Sequence, residues 1–170
     1  MLSYIIATIG IVFFAAAMVH AALEDARCYT IRNKLVIAIA GAWLVLSPLA
    51  GLALPQMGMA LLASGFVLTV TFALFAWGMI GGGDAKLAAA AALWLGPQGT
   101  LLFIAYTMMI GGLIAIAILV LRMAPLPAIF NGPAWITRLQ SPGAGIPYAV
   151  AMAPAALLAL PHTLWFALIS

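Results

Sequence analysis

The sequence predicts an all-α integral membrane protein with six transmembrane helices, the fourth of them short. Three observations carry that prediction. The chain is 68% hydrophobic and 5% charged, against about 25% charged in ordinary soluble domains. Its mean hydropathy is +1.28. Six apolar runs alternate with turn-forming or charged stretches, and the few basic residues fall where one face of a membrane can collect them. The chain reads as a single transmembrane domain over residues 1–170, with no convincing internal repeat.

Spanning ~30 Å of hydrocarbon takes about 20 apolar residues in a helix. The first run, residues 2–23, follows Met1 without a basic stretch, so it is read as a span rather than a cleaved signal peptide. The second and third runs cover residues 35–54 and 57–80. The fourth, residues 84–95, covers only roughly 18 Å at 1.5 Å per residue. It lies between Gly81-Gly82-Gly83 and Gly96-Pro97-Gln98-Gly99, both of them breakers. The fifth and sixth runs cover residues 100–121 and 146–169.

Charge placement decides whether the short run crosses. Arg27, Arg32 and Lys34 follow the first run, Lys86 follows the third, and Arg122 and Arg138 follow the fifth. If residues 84–95 cross, all of these share one side, which is cytoplasmic by the positive-inside rule. If they do not, Arg122 and Arg138 fall outside, against that rule. Six spans with both termini outside are therefore expected, and the short span is expected to be buried in protein or to face a wet cavity. The proline-rich loop of residues 123–145 suggests a short amphipathic piece at 134–139. A surface anchor is the plain reading of it, a lid the alternative.

The composition also excludes functions. The pI is near 9.4, but the basic residues are dispersed, so nucleic acid is not an expected partner. A single cysteine, Cys28, excludes an internal disulfide and a multi-cysteine zinc site. No His/Cys/acid cluster has metal-ligand spacing, and no cofactor is expected.

Only three residues are acidic: Glu24, Asp25 and Asp84. An acid near hydrocarbon is costly and marks a functional site by default. Asp84 ends the run Gly81-Gly82-Gly83-Asp84, and its plain structural role would be to cap the fourth span. Asp25, beside Glu24 and before Arg27, could simply pair with Arg27 or Arg32, a surface contact worth about 0–1 kcal/mol. The chemical reading joins Asp84 to one acid of the first span. Two carboxylates held close cannot both ionise easily. One then activates water as a general base while its protonated partner polarises a carbonyl. Neighbours on a helix point about 100° apart, so only one of Glu24 and Asp25 can face Asp84 well. Spacing does not choose between them. Lys86 suits a lipid phosphate or a nearby carboxylate, and His20 and His162 suit interfacial hydrogen bonding. Trp43, Trp77, Trp94, Trp135 and Trp165 suit interfacial belts or packing.

Three motifs, in order along the chain, resemble the type IV prepilin peptidases. Gly81-Gly82-Gly83-Asp84-Ala85-Lys86 is similar to that family's GxGD-x-K motif. Asp25, followed by Ile31-Arg32-Asn33, is similar to its first aspartate with a downstream Ile-Pro-Asn. Ile146-Pro147-Tyr148-Ala149-Val150-Ala151 resembles the Pro-Tyr-Gly-Xaa-Ala segment opening its last span. Arg32 stands where proline is usual, and Ala149 where glycine is common. The resemblance implies a GxGD-type intramembrane aspartic peptidase fold, with Asp25 rather than Glu24 as the catalytic partner of Asp84. It implies supporting roles for Gly81, Gly83, Lys86, Asn33, Pro147 and Tyr148. The implied reaction is removal of the leader peptide from prepilins and pseudopilins at the cytoplasmic face of the bacterial inner membrane. Membrane lipid and other pilus-assembly proteins are the further partners it implies. Long family members add an N-terminal region with paired cysteines and N-methylate the product. With one cysteine and no such region, this chain is similar to the short TadV/CpaA-like branch of tight-adherence (Flp) pili, and methylation is not expected. The alternatives are a small proton-coupled transporter or a non-catalytic subunit of a secretion machine. Transport favours acids near the midplane and inverted repeats, and neither is evident here.

Overall fold

A computed structural model describes residues 1–123 and 147–169. Among them every regular element is helical. The helices are α1 (Leu2–Cys28), α2 (Asn33–Leu49), α3 (Leu54–Ala76), α4 (Gly82–Met123) and α5 (Ala149–Ala159), then a 3₁₀ turn (Leu160–His162) and α6 (Leu164–Ala167). Three of them, α1, α3 and α4, are long and apolar enough to cross a membrane; α2 and the stretch Ala149–His162 are shorter.

The breakers act where the sequence puts them, but the boundaries shift. α1 runs past residue 23 to Cys28, so Glu24 and Asp25 sit on its last turns rather than after it. Tyr29 ends it in the left-handed conformation (φ 54°), its N–H donating to the Asp25 carbonyl at 2.8 Å. α2 and α3 both begin and end earlier than the apolar runs suggest. The chain turns after Leu49, and Leu54, expected to end the second span, instead opens α3. Pro55 fits that first turn, where its missing N–H is no loss. Gln56 Oε1 accepts the Ala53 N–H at 2.9 Å and completes the start.

The fourth and fifth runs form one helical element that breaks at Gly96 (φ 64°, ψ −177°), ahead of Pro97. A positive φ is cheap only for glycine, and proline cannot donate the hydrogen bond a continuous helix would need. The two halves differ in burial. Leu87, Ala88, Ala89, Ala90, Ala91, Ala92, Leu93, Trp94 and Leu95 are all buried. The half after Pro97 presents Leu101, Met108, Met109 and Leu113 outward, as α3 presents Leu62, Phe66 and Phe72. In a membrane those large side chains face lipid.

The short half is the centre of the fold. Its alanines let neighbouring helices approach closely, the packing that drives association where lipid is as apolar as the side chains. Ser64 Oγ on α3 donates to the Ala89 carbonyl at 2.8 Å. Trp94 stacks on Phe14 of α1 (centroids 5.3 Å apart) and on Trp165 of α6 (4.7 Å), and its indole N–H donates to the Ile39 carbonyl of α2 at 2.9 Å. Trp43 is buried too, while Trp77 is exposed.

The expected sixth span is not one continuous helix. α5 stops at Ala159, and Pro161 turns the chain through the 3₁₀ segment. Thr163 then caps α6, accepting the Phe166 N–H on its hydroxyl at 3.4 Å. The 123–145 loop, with Trp135 and Arg138, and the Ile146 start of the last run lie outside the described residues, apart from Met123, which ends α4.

Candidate active site

Asp84 is the third residue of α4, not its cap. Gly81 occupies the cap position, its carbonyl accepting the Ala85 N–H at 3.1 Å. The Asp84 carboxylate reaches back to the Gly81 N–H, as an acid in the third helical position does in a capping box. A side chain at residue 81 could not coexist with that arrangement, because a Cβ there would lie 2.7 Å from Asp84 Oδ2. Gly83 is packed from the other side: a Cβ there would meet Ile31 Cβ at 3.1 Å. Gly83 thus lets the α1–α2 link close onto the helix start that carries Asp84.

Asp25 is buried, 5% exposed. Its Oδ2 accepts the backbone N–H of Ala149 at 2.9 Å. Ala149 is the first residue of α5, so this N–H is one of the donors that a helix start leaves without an intrahelical partner. The helix dipole favours a carboxylate there. Ala149 is itself fully buried, so its methyl group is accommodated and its contribution to Asp25 comes through the backbone.

The two aspartates interact electrostatically and line one cavity of about 230 Å³, together with Tyr29, Thr30, Ile31, Gly81, Gly82 and Gly83. A second cavity, about 420 Å³, meets the first at Asp84 and is lined also by Tyr148. It runs between α3, the later half of α4 and α5, past Phe66, Val70, Thr107 and Gly111, and its walls are almost wholly apolar. The arrangement can hold a water beside two carboxylates, with an apolar groove leading up to one of them.

Glu24 takes a different part. Its Oε1 accepts from Arg32 Nε at 3.1 Å, with His20 Nε2 at 3.6 Å from the same oxygen. The pairing with Arg32 considered for Asp25 is therefore made by its neighbour. Lys86, expected at phosphate or a carboxylate, donates to Asn33 Oδ1 at 3.1 Å. Pro147 is buried just ahead of α5, and Tyr148 is its N-terminal flanking residue. The structure thus gathers Asp25, Asp84, Gly81 and Gly83 round one cavity and joins Lys86 to Asn33 beside it. Among the described residues no group of three or more His, Cys, Asp or Glu side chains could hold a metal ion. Sequence reasoning placed Ile31 in a motif without giving it a part in the site, and it did not find Tyr29 or the Ala149 N–H. The turn-forming Pro147-Tyr148 pair, which marks a helix start with orphan donors, was the available signal for the last.

No curated protein and no solved structure gives a significant match to the chain. Residues 12–116, from the middle of α1 into the later half of α4, match the model of the type IV leader peptidase family. That stretch is more than half of the 170 residues and includes both aspartates, and by it this chain belongs to the type IV leader peptidase family.

Proposed function

We propose that the protein is an aspartic-type endopeptidase that removes the leader peptide of Flp-type prepilins and pseudopilins, as a short TadV/CpaA-like member without N-methyltransferase activity. The observation that carries the reading is the shared cavity of Asp25 and Asp84. Membership of a leader peptidase family supplies the reaction class.

In this reading the pair holds one proton between them. The ionised carboxylate takes a proton from water as the water oxygen attacks the scissile carbonyl. The protonated carboxyl hydrogen-bonds the carbonyl oxygen as charge develops there, and the departing amine takes up a proton as the C–N bond breaks. The Ala149 N–H holds Asp25 and the Gly81 N–H holds Asp84, so neither must reorganise during the reaction. Gly81 makes room for the Asp84 carboxylate and Gly83 for Ile31, Lys86 and Asn33 tie α4 to the start of α2, and Pro147 and Tyr148 start the helix that holds Asp25. The apolar groove beside Asp84 suits a hydrophobic segment next to the scissile bond.

The membrane topology belongs to the same proposal: six spans forming a single GxGD-type domain in the inner membrane, with the acids toward the cytoplasm. The test is to mix the purified protein with a candidate prepilin and follow leader removal. The wild type should cut, and Asp25→Asn and Asp84→Asn should insert normally and not cut. Normal cleavage by either variant overturns the dyad, and no cleavage by the wild type favours a transporter or a non-catalytic subunit.

A further inference from the structure

We propose that Glu24 and Arg32 are positioning residues: their ion pair latches the α1–α2 link onto α1 and so sets the gap between Asp25 and Asp84. The inference rests on the peptidase reading for its kinetic test, and a second readout is independent of it.

Two contacts join the link and the start of α2 to the segment that carries Asp84. Ile31 packs on Gly83, with 3.1 Å between its Cβ and a Cβ built there. Asn33 accepts from Lys86 at 3.1 Å. Arg32 sits between them and points the other way, to Glu24 on α1. Glu24 is adjacent to Asp25, so the latch joins the backbone carrying one acid to the loop that presses on the other. Tyr29, in its left-handed conformation, has already turned the chain sharply, and a non-glycine residue there is held only if its surroundings fix it.

The pair is not an ordinary surface contact. Arg32 is exposed, but the Glu24 side chain is only 14% exposed. Its Oε2 is buried and has no hydrogen-bond partner among the described residues. A carboxylate so placed is costly without its cation, so Arg32 is held where Glu24 needs it.

Residue 32 also offers a way to replace the latch without charge. Its φ is −71°, inside the range a proline ring imposes. A proline there fixes the link by its ring, where the native chain fixes it by an ion pair.

Glu24→Gln should lower kcat about tenfold by misplacing the acids, with KM unchanged because neither residue touches substrate. Glu24→Gln combined with Arg32→Pro should return kcat to within about threefold of wild type. The independent readout is disulfide trapping between Ile31→Cys and Gly83→Cys in a Cys28→Ser background. Trapping should slow in Glu24→Gln and recover in the proline double variant. Wild-type kcat and trapping in Glu24→Gln, or no recovery with proline, overturns the proposal. If the wild type cuts no prepilin, the peptidase reading fails while trapping still decides the latch.

Discussion

At Asp84 the helix of residues 82–95 opens into a cavity bounded by loop backbone and two carboxylates, whereas at Trp94 the same helix is clamped between the rings of Phe14 and Trp165. One end is polar and has space for a small molecule. The other is filled by large rings, with the Trp94 indole N–H bonded across to Ile39. The alanine-rich stretch between them is helical and buried throughout. The ring-filled end thus fixes how the helix packs, while the residues round the acid are held locally, by the Gly81 N–H at Asp84 and the Ala149 N–H at Asp25.

The comparison can be broken first at the acid end. Asp25→Asn and Asp84→Asn should each lower prepilin cleavage on the order of 10⁴-fold or more, with unchanged helix content by circular dichroism. Trp94→Ala should act at the other end, lowering stability by about 3–5 kcal/mol. Its thermal midpoint in detergent should fall, while kcat of the protein that remains folded stays within a few-fold of wild type. If kcat instead collapses with stability intact, the two ends are not separate. Gly81→Ala brings a methyl group against the Asp84 carboxylate and should lower kcat about 100-fold, with little change in midpoint. Lys86→Met removes one exposed hydrogen bond to Asn33 and should cost about 0.5–1.5 kcal/mol of stability, visible as a small drop in midpoint.

The two ends also differ in how legible they were. Gly81-Gly82-Gly83-Asp84 announced a helix start with an acid, and Gly96-Pro97 announced its end, because breakers act through local backbone geometry. The break at Pro161 is equally local, yet the apolar run of 146–169 concealed it: hydropathy reports that residues avoid water, not that they form one helix. The partner of Asp25 was not legible, since a backbone N–H at residue 149 carries no sequence signature beyond the start of a helix. Nor was the Glu24–Arg32 pair. Both Glu24 and Asp25 lay within reach of Arg32, and the choice depended on the last turns of α1 and on Tyr29, a residue type with no preference for the left-handed conformation. The Trp94 cluster illustrates the same limit, because Phe14, Ile39 and Trp165 are distant in sequence and meet only through the packing of four helices.

The break at Gly96 has a further consequence in lipid. The helix of residues 82–95 is roughly 21 Å long, and α1, with 27 residues, is roughly 40 Å. A lone helix that short would pull the bilayer inward to cover its ends, at a cost for each ångström of hydrophobic mismatch. Here the long helices α1, α3 and the outer half of α4 carry the lipid-facing side chains, so the bilayer meets their length instead. The missing length becomes a recess at each end: the acid-lined cavity at one, and a hollow of about 370 Å³ beside Gln56, Gln98 and His162 at the other. In the proposed topology, water would reach the level of Asp84 without the surrounding membrane having to thin.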